Sequence, residues 1–263
     1  MRPTDGVARV VRVLEALGHA PEGLGVSDLA RVLDVHRSTA SRLLGTLAAN
    51  GMVEREAISQ RYRLGARMVG LAATAVARMP VVSQARPELE QLSTATSETV
   101  NLAIRDGFHV VYVDQVTPAV TVVMASWVGR RSPVHASSSG KVLLAWGDPR
   151  SRRSVLRRSL EAITDRTITD PRRLERTLDE VRRRGYASSS GELEEGLVTV
   201  AAPVLVGGRA VAAVSISGPA YRLPSRDLPG LGRRVMESAA AVAHRMTGRT
   251  SSHPAGSRRP GVA

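Results

Sequence analysis

Two groups of short polar residues carry the chemistry available to this chain. The first is the run Arg37-Ser38-Thr39-Ala40-Ser41-Arg42. Arginine grips phosphates or pairs bidentately with guanine, while serine and threonine hydroxyls donate or accept at base edges. The second group is dispersed: Ser137-Ser138-Ser139-Gly140, Ser189, Glu192, Thr199, and Ser215 with Ser217. Serines at the start of a helix offer hydroxyls and unpaired backbone N–H groups to an anion. Ser215 and Ser217 flank Ile216, so a strand places both hydroxyls on one face. Thr199 stands near the start of the preceding strand, with Ser189 and Glu192 in the loop leading to it. If these segments converge, they suit a small polar ligand, most naturally a carboxylate. The alternative is that the serines cap a helix and decorate a solvent face.

Other chemistries find no support. Gly140-Lys141 lacks the upstream glycine of a phosphate loop, and Val142 stands where serine or threonine is required. His135 lies close to Ser137 and Ser139, but no nucleophile elbow surrounds them. His19, His36, His109, His135, His244 and His253 show no metal-ligand spacing. Glu192, Glu194 and Glu195 read as a solvated acidic loop. No catalysis, cofactor or metal is expected.

The first group must be positioned by helices. Val7, Val10, Val11, Leu14 and Leu17 form a helical stripe ending at Gly18. Ser27 is the expected cap of a second helix carrying Leu29 and Leu33, and Asp34-Val35-His36 is the expected turn. Ser38 is the expected cap of a third helix, whose stripe Ala40, Leu43, Leu44 and Leu47 leaves Arg37, Ser38, Thr39, Ser41 and Arg42 outward. Gly51 ends it. A hairpin follows with its tip at 56–60, Val53 and Tyr62 inward, and Arg61 and Arg63 placed to touch a backbone. This is a helix-turn-helix with a wing, built to lay one helix in the major groove of double-stranded DNA.

The remainder reads as a mixed domain. Residues 65–79 predict a helix stopped by Pro80, with Ala72 and Ala75 small enough for close approach of a second subunit. Val82, Ala85, Leu89 and Leu92 mark another helix. Strands 99–105 and 108–114 flank the turn Asp106-Gly107, and Val120–Ser126 is a further expected strand. Helices are expected from Ser137 to Trp146, over 151–160 and 171–184, and from about Arg226 to Met246. Strands 198–206 and 210–217 flank Gly207-Gly208. The tail from Thr247 is polar and expected to be disordered. The fold class is therefore α+β, with a mainly antiparallel sheet. The division expected is 1–64, a connecting helix 65–80, 81–247 and a tail 248–263.

Bulk composition adds limits. Thirty-seven basic against 24 acidic residues give a formal charge of +13. Much of the excess lies between Arg150 and Arg184 and around Arg249, Arg258 and Arg259, so the motif rather than the charge argues for DNA. The modest charge of residues 1–65 disfavours a non-specific architectural binder, and the want of a nucleophile–base pair or metal set in the second domain disfavours an enzyme with a docking module. There is no cysteine, hence no disulfide framework. No long apolar run suggests a membrane span, and no secretory leader is evident, so a cytoplasmic location is expected.

The chain resembles IclR-family transcriptional regulators over nearly its whole length. Ser38-Thr39-Ala40-Ser41-Arg42-Leu43-Leu44 and Arg61-Tyr62-Arg63-Leu64-Gly65 resemble the DNA-binding half. Residues 128–145, including His135-Ala-Ser-Ser-Ser-Gly-Lys141, resemble the ligand domain, as do Gly185-Tyr186, Glu192, Gly196, 201–204 and Ser215-Ile-Ser-Gly-Pro219. The resemblance implies a GAF-like effector domain and a homodimer or dimer of dimers on a palindromic operator. It also implies a small organic-acid or aromatic effector, with repression the expected sense of control. Its effector wall would be Ser138, Ser139, Thr199, Ser215 and Ser217, with Ser189 and Glu192 beside it. Two departures bear on ligand identity: Thr199 replaces the usual cysteine, serine or alanine, and Ser189 a common aspartate.

Overall fold

The computed structural model describes residues 3–118 and 126–248. Its contacts divide the chain into two units, Met1–Arg78 and Met79–Ala263. The expected strand Val120–Ser126, save Ser126, and the tail beyond Gly248 lie outside the described residues.

The first unit runs α1 (Pro3–Gly18), α2 (Val26–Leu33), α3 (Arg37–Ala49), β1 (Val53–Arg55), β2 (Tyr62–Leu64) and α4 (Arg67–Ala77). Val13, Leu17, Leu29, Leu33, Leu44, Leu47, Val53 and Tyr62 form its core. Asp34 adopts a left-handed conformation, φ 54°, which ends α2 sharply enough to start α3 three residues later. Neither expected cap is used. Ser27 lies inside α2, where Asp28 Oδ2 instead accepts from the N–H of Gly25 at 3.2 Å. His36 precedes α3, and its Nδ1 accepts from the Ser38 N–H at 3.3 Å. An imidazole nitrogen supplies the acceptor that a hydroxyl was expected to give. β1 and β2 pair antiparallel, and Leu24 adds a single bridge to Tyr62. Leu64 is exposed despite its inward phase.

No residue of α4 is buried: Val69 is 71% and Leu71 50% exposed. Pro80 does not stop this helix, which ends at Ala77. It opens α5 (Pro80–Thr96), because proline suits the first turn, where its missing N–H goes unused.

The second unit continues β3 (Thr99–Asp106), β4 (His109–Val116), β5 (Arg131–Pro133), α6 (Ser138–Ala145), α7 (Pro149–Leu156), α8 (Pro171–Arg184), β6 (Ala187–Ser190), β7 (Leu197–Val206), β8 (Arg209–Pro219) and α9 (Leu228–Gly248). The strands form one sheet in the order β5-β4-β3-β8-β7-β6, with every pairing antiparallel. The β3–β4 turn is Gly107-Phe108, one residue later than expected, with Gly107 at φ +59°. β5 and β6 fall in stretches read as loops; each is a short edge strand whose polar composition hides the alternation. Ser189 therefore sits on a strand, not in a loop. α7 starts earlier than expected because Asp148 caps it and Pro149 opens it.

The two sheet faces differ. Val100, Leu102, Val198, Val200, Val204, Val214 and Ile216 point toward α5 and α9 in one apolar layer. The opposite face carries Ala103, Val110, Tyr112, Ala187, Ala201 and Ala213 and receives α6, on which α8 packs. Small residues there leave room for α6 to approach closely. A Cβ on Gly140 would stand 2.1 Å from the Val134 carbonyl oxygen. Gly140→Ala should therefore lower the unfolding free energy in urea by about 1–3 kcal/mol or more. Gly45→Ala, in open space on α3, should raise it by up to about 1 kcal/mol.

Candidate functional site

The outer surface of α3 is set by what the helix buries. Ala40, Leu44 and Leu47 turn inward, so Arg37, Ser38, Ser41 and Arg42 are exposed and Thr39 is half-buried. Among the described residues, the guanidinium groups of Arg37 and Arg42 have no hydrogen bond or ion pair; the Arg42 carbonyl accepts from Thr46 Oγ1 at 3.1 Å. His36 Nδ1 lies 2.9 Å from Ser38 Oγ, which orients that hydroxyl at the helix start. The wing arginines are engaged within their own unit. Arg61 Nη1 donates to the Gly23 carbonyl at 2.9 Å, and Arg63 pairs with Glu56 at 3.5 Å. Arg61 thereby ties the wing to the loop after α1. Arg55, which the sequence places in the hairpin but not among the DNA-facing residues, is an exposed wing arginine; its Nε donates to the Gln60 carbonyl at 3.4 Å and its guanidinium lies 5.7 Å from the Tyr62 ring centroid.

In the second unit the dispersed polar residues meet. Ser189, Thr199, Ser217 and Thr99 stand opposite one another across β6, β7, β8 and β3. The next row holds Ala187, Ala201, Ser215, Asn101 and Gln115. Side chains directly opposite across a ladder share a face, so these rows make a polar floor on the α6 side. Ser137 caps α6, accepting from the Gly140 N–H at 3.1 Å. Ser138 Oγ then lies 2.7 Å from Thr199 Oγ1, joining the helix start to the floor. Ser138, Ser139, Ser189, Ser215 and Ser217 are all buried. Ser189 Oγ donates a long bond, 3.5 Å, to the Ala136 carbonyl.

Glu192 faces a different partner. Its Oε1 accepts from Lys141 Nζ at 2.5 Å, and Lys141 is 1% exposed. Burial pushes the Lys141 ammonium below the usual lysine range, and Glu192 opposes that shift. Thr167 Oγ1 donates to the Glu192 carbonyl at 2.6 Å and Thr164 Oγ1 to that of Gly191 at 2.6 Å, pinning the loop that carries the carboxylate. Tyr112, on the α6 side of β4, has its phenol pushed up by burial.

Thr99, Asn101 and Lys141 belong to this site and were missed. Thr99 and Asn101 alternate with Val100 and Leu102, the same period that exposed Ser215 and Ser217. Lys141 is the chain's single lysine, set in an apolar helix. Among the described residues no group of histidine and acidic side chains could hold a metal ion.

A winged helix with an open, arginine-flanked helix start, in a chain that also carries an antiparallel sheet with a buried polar floor, has the make-up of a DNA-binding regulator. Comparison places the chain among such regulators. The profile described as IclR helix-turn-helix domain matches residues 6–57, and that of Bacterial transcriptional regulator IclR C-terminal matches 73–244. The transcriptional regulator BhcR of Paracoccus denitrificans is 35% identical over 94% of this chain and 90% of its own. KdgR of Escherichia coli is 34% identical over 85% and 86%. An IclR homologue from Microbacterium hydrocarbonoxydans, crystallised with 4-hydroxybenzoate, superposes with a TM-score of 0.79 at 30% identity, covering 92% of this chain and 99% of its own. The chain belongs to the IclR family of bacterial transcriptional regulators.

The Lys141–Glu192 pair gives a test of the site's electrostatics. Glu192→Gln leaves a buried ammonium without its counter-charge and should cost about 3–5 kcal/mol of unfolding free energy. The double variant Lys141→Met, Glu192→Leu should recover most of that loss. Urea denaturation of the three proteins measures both.

Proposed function

We propose that this regulator binds a palindromic operator through α3 and is released from it, as a repressor, by a small organic acid. The observation that carries the DNA half is the unpaired, exposed Arg37 and Arg42 beside Ser38, Thr39 and Ser41, opposite a fully apolar stripe. These residues read the major groove, while Arg61 and Arg63 shape the wing that lies along the adjacent backbone. The ligand half is supported by Ser138, bonded to Thr199, with the buried Ser139 beside it at the start of α6, and by Ser215 and Ser217 on the same floor with Ser189 at the edge. Helix N–H groups and hydroxyls together favour a carboxylate. The crystallised Microbacterium homologue, with its hydroxylated aromatic acid, supports the same ligand chemistry. Glu192 acts in this reading by holding Lys141, not by meeting the ligand.

Self-association follows from α4. Val69 and Leu71 are exposed on a helix that buries nothing in its own unit, and a second copy is the proposed cover. The protein therefore acts as a homodimer or dimer of dimers, with residues 1–64 reading DNA, 65–80 pairing subunits and 81–247 sensing the acid.

Selection of binding sites from a random duplex library tests the DNA reading. An inverted-repeat consensus is expected, and Arg42→Ala should weaken binding to it by about 1–3 kcal/mol. Absence of any enriched sequence, with and without added organic acids, would count against it. Val69→Glu with Leu71→Glu should shift the sedimentation coefficient from dimer or larger to monomer.

A further inference from the structure

The hydrogen bonding of the floor is incomplete, and at Asn101 it is incomplete in one chemical direction. Asn101, 1% exposed in the middle of the sheet, donates from Nδ2 to Ser217 Oγ at 3.1 Å, and its Oδ1 is buried without a partner. Thr99 Oγ1, two residues along the same face, is also buried and unpartnered. An amide carbonyl oxygen can only accept. A ligand that completes the site must therefore bring a donor.

Carboxylate and keto oxygens have no donor to give. An ammonium has one, but the charge of Glu192 is already matched by Lys141 through Oε1, and its buried, unpartnered Oε2 belongs to the β6–β7 loop, with β7 and β8 between β6 and the strand of Asn101. A buried cation would stand there without counter-charge. A hydroxyl donates and carries no charge.

The register places that hydroxyl on the ligand. Thr199, under Ser138, and the Thr99–Asn101 pair are separated by β8, two strand spacings or about 10 Å. With a hydrogen bond of about 2.8 Å at each end, the ligand's carboxylate and hydroxyl oxygens stand roughly 4–7 Å apart. A 2-hydroxyl lies too close to its own carboxylate. We infer that the effector is a carboxylic acid with a distal hydroxyl, and that Asn101 selects it by accepting that hydroxyl's proton in a hydrogen bond. This rests on the organic-acid reading above and adds the second polar group to it.

Isothermal titration of the full chain against matched aliphatic and aromatic pairs tests it: 4-hydroxybenzoate with benzoate, and 4-hydroxybutyrate with butyrate. In at least one pair the hydroxy acid should bind at least about tenfold tighter than its partner. Asn101→Leu should cut that preference below about threefold by weakening the hydroxy acid alone. Equal affinities in every pair that binds would overturn the hydroxyl inference while leaving the organic-acid reading intact. A preference unchanged in Asn101→Leu would overturn the role of Asn101. Binding by none of these acids at about 10 mM would overturn the organic-acid reading and the inference with it.

Discussion

A buried polar group is tolerated only when something pairs with it, and that constraint organises the second unit. One face of the sheet is apolar and closed by α5 and α9. The other carries hydroxyls and an amide in adjoining rows beneath the start of α6. Some of these groups pair with each other, as Ser138 does with Thr199 and Asn101 with Ser217. Others do not: Asn101 Oδ1 and Thr99 Oγ1 are buried without a partner. Gly140 lets the start of α6 pack directly on the backbone of Val134, in the turn that follows β5. The buried Lys141–Glu192 pair then ties α6 to the loop between β6 and β7.

The first unit follows the same logic with opposite polarity. Its apolar residues are gathered into one cluster, so the polar residues at the start of α3 have nowhere to go but outward. Where arginines could be absorbed they are: Arg61 on the Gly23 carbonyl, Arg63 on Glu56. Arg37 and Arg42 are the cations of α3 left open to an external anion. A positive surface made of such residues is stabilised by a phosphate backbone and weakened by salt.

Much of this was legible in the sequence because period and punctuation agree. The stripe Ala40, Leu44, Leu47 and the glycine stop located α3, and Gly207-Gly208 located the longest hairpin. The alternation of Ser215 and Ser217 with apolar neighbours found half of the floor. What stayed hidden had physical reasons. His36 displaced Ser38 as cap because an imidazole nitrogen accepts as well as a hydroxyl does, a role that residue-type preferences underrate. β5 and β6 are edge strands too short and polar to show a period. Thr99 and Asn101 look like ordinary strand residues until the register sets them beside Ser217. Lys141 looked like part of a failed phosphate loop until its burial and partner were seen.

On our proposal the unpaired floor groups exist for a ligand and not for the fold. The unfolding free energy of Thr99→Val in urea tests this without knowledge of the effector. Valine keeps the shape of threonine and removes only the buried, unpartnered hydroxyl. Thr99→Val should be at least as stable as its parent, since a desolvated group without a partner is lost. A drop of about 2 kcal/mol or more would contradict it, because that hydroxyl would then be holding the structure together.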